Sequence, residues 1–110
     1  MDLQKMIASI SPAMRKKAEA LLNSDSFTSL VNEDGYCAAE FAEDGGYLIP
    51  EIFLDDNEVW EYECQCSKRR VVCVHITAVL IGIEKMLLTG CDDYREAVML
   101  LERNAAQTQI

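Results

Sequence analysis

Four side chains of metal-binding type constrain this chain more than anything else in it: Cys64-Gln65-Cys66, a gap of six residues, then Cys73-Val74-His75. The stretch holds three of the five cysteines and the only histidine. In an extended strand residues i and i+2 project from one face, so Cys64 and Cys66 reach a single ion without a special turn. In a regular helix the same spacing separates two side chains by about 200°. Cys73 is therefore expected just before a helix, and His75 at or inside its first turn. A Cys3His set suits Zn²⁺, which binds it tetrahedrally and has no geometric preference of its own. Four protein ligands close the shell and leave no position for water or substrate, as in structural rather than catalytic sites. Read as plain core residues, buried cysteines and a satisfied histidine need no metal, but this combination and spacing favour a metal site. Disulfide chemistry at the C-x-C pair is a weaker explanation, given the third cysteine and the histidine.

The flanking sequence predicts what presents this cluster. Asp2 can cap a short helix, and Ser11-Pro12 supplies an N-cap followed by a proline at the first helical position. Met14, Ala18, Leu21 and Leu22 then form one apolar face, ending at Asn23 to Ser26. Short apolar runs separated by turn clusters predict four strands, Phe27–Val31, Tyr36–Phe41, Tyr47–Leu54 and Glu58–Cys64. Asp34-Gly35 and Asp44-Gly45-Gly46 favour antiparallel hairpins, and Pro50 implies an edge or a bend in the third strand. Trp60 and Tyr62 share one face by strict alternation and are expected to pack on the helix after Cys73. That helix, marked by Val74, Val79, Leu80, Ile83 and Leu87, reads as the core helix, with Gly90 as its stop. Asp92 or Asp93 can cap a last helix bearing Tyr94, Ala97, Val98, Leu101 and Ala105.

The expected fold class is α+β: a small antiparallel sheet leads into a zinc-bound strand-to-helix module, with flanking N- and C-terminal helices. A single domain is expected over 1–110, with a helical segment at 1–25, the sheet and zinc module at 26–90, and the last helix and tail at 91–110. Of the cysteines outside the cluster, Cys37 reads as a small core residue, and Cys91 follows the Gly90 stop.

The order C-x-C, short gap, C-x-H and apolar helix resembles the SWIM zinc finger, a module of SWI/SNF-type ATPases and Mutator-type transposases. The resemblance covers about Tyr62 to Leu87 and rests on Cys64, Cys66, Cys73 and His75, on the preceding strand and on Ile76-Thr77-Ala78-Val79-Leu80. It implies one structural Zn²⁺ and a role in binding DNA or other proteins, beside ATPases, transposases, recombination accessory proteins or signalling proteins. No helicase motif, transposase segment or kinase domain accompanies the finger, so those activities do not carry over, and the chain is not expected to be an enzyme.

Charge narrows the partner. Ten Lys and Arg against nineteen Asp and Glu give a formal net charge of −9, which disfavours nucleic acid and anionic membranes as general ligands. Between Ala18 and Ser67 there is no basic residue but thirteen acids, so a protein partner is expected, and the resemblance to SWIM modules implies a nucleic-acid-processing one. A basic loop, Lys68, Arg69 and Arg70, either balances the thiolates or contacts phosphate directly. An acidic mimic of nucleic acid, inhibiting such an enzyme, is a further alternative. No run approaches the ~20 apolar residues of a membrane span. The N-terminal sequence lacks a secretory pattern, and an intracellular place, cytoplasmic or nuclear/nucleoid-associated, is expected for the thiols.

Overall fold

The computed structural model describes residues 1–66 and 72–108. Helices α1 (Leu3–Ala8) and α2 (Pro12–Leu22) come first. Five strands follow, β1 (Phe27–Glu33), β2 (Tyr36–Glu43), β3 (Gly46–Leu48), β4 (Glu51–Asp55) and β5 (Glu58–Glu63), then helices α3 (Val74–Thr89) and α4 (Tyr94–Thr108). The class is α+β with an antiparallel sheet, as the sequence predicts. Capping residues set the helix starts: the Asp2 carboxylate accepts from the Lys5 N–H, the Ser11 hydroxyl from the Met14 N–H, and the Asp93 carboxylate from Arg95 and Glu96. Each satisfies an amide that a helix start leaves without an intrahelical partner.

The sheet order is β1-β2-β4-β5, with β3 also pairing with β2. Strands β3 and β4 keep a single register against β2, Leu48 opposite Phe41 and Ile52 opposite Cys37. They are the expected third strand, interrupted at Ile49-Pro50. Proline cannot donate to the ladder, yet the Pro50 carbonyl still accepts from the Ala39 N–H at 3.2 Å, so the register survives the break. The β1–β2 turn needs positive φ at both Asp34 (51°) and Gly35 (89°), and a side chain at Gly35 would collide with the Leu54 carbonyl.

One sheet face carries Leu30, Cys37, Phe41, Ile52 and Val59 into the core, against α3. Every residue of α3 from Ile76 to Ile83 is buried, because α1, α2, α4 and the sheet surround it. Each large aliphatic buried this way contributes about 1.5–3 kcal/mol. The helix comes so close to β1 that a Cβ at Gly82 would meet the buried Leu30 side chain. Burial ends with Met86, and Leu87, expected on the apolar face, is half exposed beside Leu88.

Trp60 departs from expectation. Phe53 faces Glu61 while Leu54 faces Val59, so Trp60 is an extra residue in β5. Such a bulge breaks the alternation. Val59 and Tyr62 turn to the core, and Trp60 turns to the opposite face, 60% exposed. The sheet margins are engaged as well: the Asn32 N–H donates to the Asp92 carbonyl, beside a bridge between Val31 and Asp93. At the other margin the Leu3 N–H donates to Asn57 and the Val59 N–H to Met1. Among the described residues no helix is long and apolar enough to cross a membrane.

Candidate metal centre

The four ligand-type residues meet where the sheet hands over to α3. Strand β5 stops at Glu63, one residue earlier than predicted, and Cys64 leads into a turn at Gln65 and Cys66. The pair is thus presented by a turn and not from the face of a strand. Two residues of extended chain advance about 6.6 Å, too far for neighbouring ligands of one ion, whereas turning the chain brings the two Sγ atoms to 3.4 Å. Gln65 holds the turn in place, its side-chain oxygen accepting from the Ile49 N–H at 2.9 Å, at the interruption between β3 and β4.

From the other side, Cys73 is the N-cap of α3, its Sγ accepting from the Ile76 N–H at 3.5 Å. Both the N–H and the hydroxyl of Thr77 bind the Cys73 carbonyl at 2.9 Å, which fixes the cap backbone. His75 lies in the first turn, as expected, with Nδ1 3.3 Å from the Cys66 Sγ and 3.9 Å from the Cys73 Sγ. All four ligand atoms lie within 4.8 Å of one another, close enough to hold one metal ion. Zn–S and Zn–N bond lengths in a tetrahedron imply ligand-to-ligand edges of about 3.5–3.8 Å, so the spacing and the Cys3His donor set both fit that ion.

The imidazole is positioned from two further sides. Its ring meets that of Phe41 at 5.8 Å between centroids, and its Nε2 lies 3.4 Å from the Glu43 carboxylate. A carboxylate there stabilises the tautomer with the proton on Nε2, leaving the Nδ1 lone pair turned to the three sulfurs. Sequence reading missed both Glu43 and Gln65. Gln65 sits between two ligands and so was in plain view, but Glu43 is remote in sequence, and only the pairing of the strands carries it to His75.

Burial pushes the Cys64 thiol up to about 12, against the opposing pull of the Cys66 N–H, and raises the Cys66 thiol as well. Protonated sulfur is therefore favoured at this site until a cation arrives, and a divalent ion reverses the balance by stabilising thiolates. The helix N-terminus at Cys73 adds a partial positive charge of its own. The predicted basic loop, Lys68, Arg69 and Arg70, lies outside the described residues. Cys37 is fully buried in the core, its thiol pushed up to about 12 by burial and by the charge of Asp92, and Cys91 is half-buried after Gly90; neither joins the cluster. In comparisons with known proteins, no family model, no curated protein and no solved structure matches the chain.

Proposed function

We propose that this chain is a zinc-stabilised interaction module of SWIM type that recruits or regulates a nucleic-acid-processing protein and is not itself an enzyme. The observation that carries the reading is the convergence of Cys64, Cys66, Cys73 and His75 within 4.8 Å at a strand-to-helix junction. Four protein ligands fill a tetrahedral shell, so the metal serves folding and offers no open position to a substrate. Zn²⁺ at such a site ties the end of β5 to the start of α3. The −9 net charge supports a protein partner over nucleic acid.

The test has two parts. Metal analysis of the purified protein is expected to give one zinc per chain, lost on Cys64→Ser, and a stable, metal-free wild-type protein overturns the zinc half. Affinity capture with and without nuclease then separates partner classes. A bound protein that survives nuclease supports the module, whereas partners lost with the nucleic acid assign the binding to the 68–70 loop.

A further inference from the structure

Among the described residues the helices gather on the α3 side of the sheet, and the opposite face has a specific composition. Tyr36, Phe53 and Trp60 form a row of rings crossing β2, β4 and β5, with centroids 5.3 and 5.1 Å apart and planes tilted by about 45°. None of the three belongs to the core. Carboxylates stand among the rings: Glu51 pairs across the ladder with Glu63, and Glu61 with Phe53. Glu51 and Glu63 thus bring two like charges to facing positions on adjacent strands, an arrangement that favours a cation between them. Among the described residues no cation pairs with Glu33, Glu51 or Glu63. The Tyr36 hydroxyl donates to the Glu51 carboxylate at 2.5 Å, and that bond, burial and the charges of Glu51 and Glu33 raise its pKa to about 12. A cleft of about 180 Å³ lined by Met1, Val59, Trp60, Glu61 and Tyr62 opens beside the Trp60 ring.

We propose that this face docks an arginine-bearing segment of a protein partner, guanidinium groups stacking on Trp60 and Phe53 while Glu51 and Glu63 pair with them. The choice of occupant follows from complementarity. An aromatic row alone also suits bases, but the carboxylates repel the phosphates attached to them. Arginine is preferred to lysine because its guanidinium is planar, weakly hydrated and able to stack and pair at once. This inference deepens the interaction reading above and rests on it.

Trp60 is the only tryptophan in the chain, so its fluorescence reports on this face directly. The probe is an (Arg-Ser)4 peptide, compared with (Lys-Ser)4 at equal charge, on the intact chain with its zinc content measured in each sample. Saturable change in Trp60 emission and tighter binding of the arginine peptide are expected. By calorimetry, Trp60→Ala should weaken binding about tenfold and Glu63→Gln about threefold, while Glu102→Gln on α4 leaves it unchanged. Equal binding of both peptides, or unaltered affinity in Trp60→Ala at unchanged zinc content and fold, overturns the proposal. The same variant in the affinity capture keeps two failures apart. A nuclease-resistant partner retained by Trp60→Ala overturns the face and leaves the module. A wild-type chain without such a partner, but with ring-dependent arginine binding, overturns the module and leaves the face.

Discussion

At its N-terminal end α3 starts on Cys73, whose sulfur both caps the helix and faces Cys66 and His75. At its C-terminal end it stops on Gly90 at φ 72°, with the Thr89 hydroxyl donating to the Lys85 and Met86 carbonyls and the Cys91 N–H to Met86. The second end is complete in itself, since its carbonyls find partners within a few residues and need nothing from outside. The first gathers three sulfurs and an imidazole, groups that gain little from one another as neutral species and much from a shared cation. One helix therefore depends on two kinds of chemistry, and the buried stretch from Ile76 to Ile83 stands between them.

The sharpest way to break this contrast is to remove a ligand. Cys64→Ser or His75→Ala should abolish metal binding and destabilise the protein by more than about 3 kcal/mol. Hydrogen exchange of a variant that still folds should show protection lost around Cys66 and the first turn of α3 while the amides near Gly90 keep theirs. Uniform loss of protection would mean that the two ends are not separable.

Acid should act on the metal end in the same direction. The Cys64 and Cys66 thiols hold their protons above the ordinary range, so each must give one up when the metal binds. Affinity therefore rises with pH and falls on acidification, by up to about tenfold per pH unit for each thiol deprotonated. A competition titration with a zinc-sensitive dye between pH 8 and about 6 measures the slope, and a flat profile would show that protons do not compete. A smaller effect is expected from Glu43→Gln, which removes the charged partner of the His75 Nε2 without touching a ligand: metal affinity should drop about ten- to hundredfold, with the fold retained. Smallest is Gly90→Ala, which forces a Cβ into the left-handed region at about 1–2 kcal/mol and should lower the thermal midpoint while metal affinity stays as in the wild type. A shift in metal affinity with Gly90→Ala would reveal coupling along the whole helix.

What could be read from the chain was local. Asp2, Ser11-Pro12, Asp34-Gly35 and Gly90 each act through residues no more than a few positions away, and all are found where their chemistry puts them. The cluster was legible for the same reason, because three cysteines and a histidine at fixed spacing need no knowledge of the fold. The failures concern pairing between strands. The Trp60 bulge exists only in the register of β5 against β4, and alternation within β5 cannot reveal it. The C-x-C turn depends on Gln65 reaching Ile49 across the sheet, and Glu43 depends on where β2 ends relative to α3. Pro50 falls between, since its own geometry announces a bend but not that the register on β2 survives it.

The engaged margins of the sheet bear on how this protein behaves at high concentration. Open strand edges are templates on which further copies add, the first step toward insoluble assemblies. Here β1 meets the Asp92-Asp93 segment and β5 meets Met1 to Leu3, so the edge amides of Asn32 and Val59 are already committed. Along these two stretches, growth by strand addition first has to peel the covering segment away, which leaves the short outer edge of β3, paired only with β2, as the margin on which another strand could add.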